Sequence, residues 1–247
     1  MFSHRLRHLF PTALAFVLTC VAAANTAIQS VPRTERSGWM KRHEGFVELA
    51  NQGGVNVLFL GDSITYGWFN EQKGAKQIWD REFAPLGAAN FGMGGDRTQH
   101  LLWRLEHGEL DGIGPKVVVL MIGTNNTGFE LDQRTPKNSP AETVAGIAAI
   151  TRTIRRRLPD TRILLLAIFP RGEKPDNLRR KQVNEINAAI AMLHDGKSVY
   201  FLDIGVNFLA PDGTLPKDVM PDFLHPSEQG YAIWAAAIKG PVRRLLQ

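Results

Sequence analysis

Val55-Asn56-Val57-Leu58-Phe59-Leu60-Gly61-Asp62-Ser63 is the stretch on which the fold of this chain turns. Its apolar run follows the breaker Gly53-Gly54, is too short for a helix and ends on a glycine, the pattern of an interior strand buried on both faces. Residues 117–122, 163–168 and 199–204 repeat that character, and a weaker strand is predicted over 87–91. Helical periodicity fills the intervals. A first helix is predicted over 39–51, others over 98–105, 141–158 and 178–193, and Ser227 with Glu228 in its first turn opens the last. Strands and helices alternating at crossover spacing predict an α/β protein, a three-layer α/β/α sandwich around a five-stranded parallel sheet, with one domain over 38–247.

A chain of 247 residues, 44% hydrophobic and 21% charged, can bury one sizeable core without disulfides or structural metal. The formal charge is only +5, and Arg155-Arg156-Arg157 and Arg179-Arg180-Lys181 fall on expected helices, where they read as solvated faces. No nucleic-acid partner is expected from that distribution. At the N-terminus Arg5 and Arg7 precede an apolar stretch over 9–24, short for a membrane span, that ends in Ala22-Ala23-Ala24. These features predict a signal peptide over 1–24 and a polar segment over 25–37. The expected location is secreted or periplasmic, with no stable membrane insertion after cleavage; an uncleaved anchor helix is the competing reading. Cleavage would remove Arg5 and Arg7, taking +5 to +3, and would remove Cys20, the single thiol.

In an open parallel sheet, ligands bind beyond the carboxyl ends of the strands, where the strand order reverses. Those ends carry Gly61-Asp62-Ser63, the segment 90–96 and Gly123-Thr124-Asn125-Asn126, and the loop before the last helix carries Asp222 and His225. A serine after Gly-Asp can simply cap a helix. As a nucleophile it needs a base within reach and a third group that orients the base. Asp222-Phe223-Leu224-His225 can supply both, the carboxylate holding Nδ1–H while Nε2 faces Ser63. The same tetrapeptide also fits helix punctuation or part of a metal site. No ligand-spaced cluster of His, Asp and Glu accompanies it, and no metal is expected. Acyl transfer further requires donors aimed at an oxyanion, for which Gly95 N–H, the Asn125 amide and Ser63 N–H are candidates. Gly92, Gly94 and Gly95 equally suit a tight turn, or a dinucleotide loop that lacks its third glycine, and Asn125 equally suits an ordinary turn.

Taken together, Gly61-Asp62-Ser63-Ile64-Thr65, Gly95, Asn125 and Asp222-x-x-His225 resemble the signature blocks of the SGNH, or GDSL-type, hydrolases, over roughly 55–246. The resemblance implies a flavodoxin-like SGNH hydrolase fold with Ser63 as nucleophile, His225 as base and Asp222 as its orienting carboxylate. Gly95 and Asn125 would join Ser63 N–H as oxyanion donors. Within that family, residues 90–96 and 98–105, Gly123-Thr124-Asn125-Asn126, Pro170-Arg171-Gly172-Glu173-Lys174-Pro175 and Asp222-Phe223-Leu224-His225 are similar to the catalytic subunits of intracellular platelet-activating-factor acetylhydrolases. This implies a preference for short acyl groups, acetyl above all, no metal or organic cofactor, and a homodimer. Those subunits are cytosolic, whereas this chain opens with an export-type segment. The first expected substrate is therefore a small-molecule or glycan ester, acetylated carbohydrate in particular. An acetyl-phospholipid or lysophospholipid is second, and a non-catalytic binding module on the same fold is the alternative of another class. Met93, Phe223 and Leu224 suit either a small acyl pocket or the core, and the role of Arg171 is open.

Overall fold

The computed structural model describes residues 24–70 and 74–247. The signal peptide expected over 1–24, with Cys20, lies outside the described residues except for Ala24. Helix α1 (Trp39–Gln52) stops at Gly53, whose φ of +72° suits a residue without Cβ. β1 (Val57–Gly61) follows, then the one-turn α2 (Ser63–Tyr66), α3 (Ala75–Glu82), β2 (Ala88–Gly92) and α4 (Thr98–Glu106). The second half runs β3 (Val117–Met121), α5 (Pro140–Arg157), β4 (Arg162–Leu166), α6 (Leu178–Ile190), β5 (Val199–Leu202) and α7 (Glu228–Leu245). α5 starts with a reciprocal cap: Ser139 Oγ accepts from Glu142 N–H at 3.2 Å while the Glu142 carboxylate accepts from Ser139 N–H at 2.8 Å. Ser227 caps α7, as its position predicts. α3 is an addition to the sequence reading: its eight residues bury only Ala75, Ile78 and Trp79, too few to establish a helical period.

All five strands are parallel, in the order β2-β1-β3-β4-β5. Alternate residues serve opposite layers, because successive strand side chains point to opposite faces. Leu58, Leu60, Val118, Leu120, Ile163 and Leu165 pack with Leu101, Ile147, Ile150 and Ile186 of α4, α5 and α6. Val57, Phe59, Val119, Met121, Leu164 and Leu166 pack with Trp79, Trp234 and Ile238 of α3 and α7. Each such side chain, wholly buried, contributes about 1.5–3 kcal/mol from apolar burial. β2 lies on one side of β1 and β3 on the other, so the strand order reverses at β1 and β3 and a crevice opens beyond their carboxyl ends.

The segment 25–37 lies along one wall of this rim. Ala27 O accepts from Thr98 Oγ1 at 2.8 Å, Thr26 Oγ1 accepts from Asn138 Nδ2 at 2.8 Å, and Val31 N–H donates to Gln99 O at 3.4 Å. Those anchors bring Arg33 and Arg36 over the loop that follows β2.

Candidate active site

Ser63 follows the sharp exit of β1. A Cβ on Gly61 would stand 2.1 Å from Thr65 Oγ1 and 2.5 Å from Met121 O, so the strand can turn here only on a glycine. Asp62 caps α2 through Oδ1, which accepts from Ile64 N–H at 2.9 Å, and Tyr231 O–H of α7 pins the same turn by donating to Ile64 O at 2.7 Å. Ser63 is left half-buried at the start of α2. Burial pushes the Asp62 carboxyl up to about 7, against the opposing hydrogen bond from Ile64.

Across the crevice, His225 Nε2 stands 2.9 Å from Ser63 Oγ, and His225 Nδ1 stands 2.6 Å from Asp222 Oδ2. The other carboxylate oxygen, Asp222 Oδ1, accepts from the N–H of Leu224 at 3.1 Å and of His225 at 2.7 Å. Partial burial raises the Asp222 carboxyl, but the hydrogen bonds from the His225 ring and backbone outweigh it and hold the group below the usual range. Between the two residues, Phe223 has φ of +57°, a conformation that costs a bulky residue about 1 kcal/mol or more. Its backbone is clamped there, the N–H donating to Met220 O at 2.9 Å and the C=O accepting from Gly172 N–H at 2.8 Å.

Gly95 lies at φ of +79° in a turn closed by Asp96 N–H donating to Met93 O at 3.2 Å, and Met93 N–H ties that turn to Gly61 O at 3.1 Å. Asn125 Nδ2 reaches the same turn and donates to Asp96 O at 2.9 Å. Beneath it, wholly buried Arg104 donates to Asp96 Oδ2 at 2.8 Å, to Glu109 Oε2 at 2.5 Å and to Phe91 O at 3.1 Å. Trp39 Nε1 donates to Asp96 Oδ1 at 2.8 Å, and His43 Nδ1 pairs with Glu109 Oε1 at 2.8 Å. Burial pushes the Asp96 carboxyl up, while the Arg104 guanidinium opposes the shift. Arg171, whose role the sequence left open, donates to Thr124 O at 2.8 Å and to Thr127 Oγ1 at 3.3 Å, and so braces the turn that presents Asn125. Burial lowers its pKa to about 10.

Ser63, Gly95, Asn125, Asp222 and His225 thus meet at one rim, and the hydroxyl, imidazole and carboxylate form a continuous hydrogen-bonded chain. Met93 lines the cleft beside Ser63, whereas Phe223 and Leu224 line, with Asp222, another cavity of about 560 Å³. Sequence reasoning passed over Asp62, Tyr231 and the Arg104 network. Arg104 was detectable, because it falls among Leu101, Leu102 and Leu105 on the buried face of its helix, where an unpaired charge would be untenable. Asp62 and Tyr231 gave no such signal, since Tyr231 reaches the turn that Asp62 caps from 167 residues beyond Ile64.

Known proteins resemble this chain in sequence and in fold. Residues 59–233 match the sequence pattern of the GDSL-like lipase/acylhydrolase family. Platelet-activating factor acetylhydrolase IB subunit alpha1 of Homo sapiens is 39% identical over 227 residues, which cover 91% of this chain and 90% of the relative. A GDSL-like lipase from Bacteroides thetaiotaomicron superposes with a TM-score of 0.63 at 20% identity, covering 83% of this chain and 97% of that one. A mutant acetylxylan esterase from Geobacillus stearothermophilus superposes with a TM-score of 0.60 at 20% identity, covering 78% and 94%. At those identities the superpositions speak for the fold alone.

Proposed function

The chain belongs to the GDSL-like lipase/acylhydrolase family and is a carboxylic ester hydrolase, and from that premise we propose that it removes short acyl groups, acetyl above all, with Ser63 as nucleophile. The observation that carries this reading is the 2.9 Å approach of Ser63 Oγ to His225 Nε2 from positions 162 residues apart. With Nδ1–H donated to Asp222, Nε2 accepts the Ser63 proton as Oγ attacks the ester carbonyl. The oxyanion is met by Ser63 N–H, Gly95 N–H and the Asn125 amide N–H that is not engaged by Asp96. His225 then protonates the leaving alcohol, and water frees the acyl group by the same steps in reverse. No cofactor enters this route.

Acetylated carbohydrate is the proposed substrate, in a secreted or periplasmic setting that the charge and apolar pattern of residues 1–24 supports. Acetyl-phospholipid hydrolysis is the second reading, favoured by the 39% identity to a platelet-activating factor acetylhydrolase subunit. Ser63→Ala is expected to lower kcat on 4-nitrophenyl acetate by about 10⁴-fold or more, with the far-UV circular dichroism unchanged. Retained turnover would remove Ser63 from the mechanism. Acetate release from acetylated xylan, compared with release from an acetyl phospholipid, separates the two substrates.

A further inference from the structure

Ser63 opens into a cleft of about 460 Å³ whose other wall is Arg36, Ser37, Gly38, Arg42 and Tyr66. Arg36 donates to Gly94 O, and Arg33 donates to the same carbonyl at 3.3 Å. Both guanidinium groups sit over Gly95, since a Cβ there would meet Nη1 of each at 2.6 Å. Arg42 lies with its guanidinium 4.2 Å from the centre of the Tyr66 ring and donates to Tyr66 Oη at 3.3 Å. Two cations, Arg36 and Arg42, therefore line the cleft, and a third, Arg33, lies beside them over the Gly94-Gly95 turn. Among the described residues the single carboxylate paired with them is Glu35, 3.2 Å from Arg33, and neither Arg36 nor Arg42 has an acidic partner.

A guanidinium carries five N–H donors, and Arg36 and Arg42 spend one each in these hydrogen bonds. Both side chains line the cleft, and the planar fork of a guanidinium suits a carboxylate or phosphate oxyanion. We propose that this cleft is an anion subsite, and that the natural ester carries an acidic group on its alcohol portion. The inference rests on the acetylesterase reading above: a two-carbon acyl group has no room for a charge, so the anion must belong to the alcohol.

The test is a series of small acetyl esters that differ mainly in charge: 3-acetoxybenzoate, 2-acetoxyethyl phosphate, phenyl acetate and 3-acetoxy-N,N,N-trimethylanilinium. The quantity read is the ratio of kcat/KM for an anionic ester to that for the cationic one, in each variant relative to the unaltered protein, which cancels intrinsic leaving-group differences. Arg42→Gln is expected to lower that ratio about tenfold, Arg42→Glu to lower it further, and both effects to shrink as salt rises. Arg156→Gln, an exposed change outside the cleft, is expected to leave it unaltered. Arg36→Gln provides a second reading, while Arg42, whose guanidinium is bonded to Tyr66 and not to Gly94, keeps the result independent of any shift in the Gly94 turn. The larger of the carboxylate and phosphate effects identifies the oxyanion the cleft takes. An unchanged ratio in Arg42→Gln and Arg36→Gln overturns the inference while leaving the esterase reading intact. Failure of the unaltered protein to cleave any of the four esters overturns both.

Discussion

On the Gly95 side of the crevice the backbone rests on groups wholly removed from solvent, Asp96, Arg104 and Glu109, tied to one another at 2.8 and 2.5 Å. On the His225 side, Asp222 is exposed and its loop is fastened by hydrogen bonds two and three residues long, to Leu224 and His225. The contrast suits the work that the proposed mechanism asks of each side. Oxyanion donors act through fixed position, and a turn seated on buried ion pairs cannot shift without leaving a charge unpaired. A general base must pass a proton and admit water in the second step, so a solvent-facing loop serves it well. The exposed side still has one fixed element, the Phe223 backbone at φ of +57°, which is held by Met220 and Gly172 rather than by burial.

Disabling each side separately breaks or sharpens this contrast. Asp222→Asn is expected to cost the largest factor, about 10⁴ in kcat on 4-nitrophenyl acetate, because the imidazole is then held in the wrong tautomer. Urea unfolding should barely register that change at so exposed a position. Arg104→Met acts in the opposite manner. It strands Asp96 and Glu109 in the interior and should lower unfolding free energy by about 3–5 kcal/mol in urea titration. A loss below about 1 kcal/mol would mean that the buried network does not hold the turn. Asn125→Ala is expected to lower kcat by about 10²–10³ with KM little altered, the signature of a donor used only in the transition state. The smallest effect concerns Asp62. Its folded-state pKa of about 7 lies above the ordinary 3.8, so between those values the folded protein holds a proton that the unfolded chain releases. Stability therefore falls as pH rises through that window. Between pH 5 and 6.5 the unaltered protein should lose about 1–2 kcal/mol relative to Asp62→Asn, in denaturant titrations at each pH.

Much of this molecule was legible before any coordinates. The five strands and the longer helices follow from short apolar runs and from periodicity. The candidate site residues were picked out by polar or glycine-rich sequence at strand ends, by Asp222-x-x-His225 before the last helix and by the family resemblance of these blocks. α3 escaped because eight residues with three buried positions carry too little pattern. The cleft lined by Arg36 and Arg42, with Arg33 beside it, escaped for a different reason. Those arginines occupy an irregular segment and the first turn of α1, and nothing local indicates that Ala27 and Val31 anchor the segment against α4.

Sequence by itself determined the five strands, the longer helices, their order and the residue types delivered to the rim, because backbone hydrogen bonding and side-chain periodicity act over a few residues. Tertiary structure alone decided that Ser63 and His225 meet at 2.9 Å, that Arg104 is paired from both sides and that Arg36 and Arg42 line the cleft into which Ser63 opens. Such distances are set by how whole layers pack, and packing joins residues that the chain holds far apart.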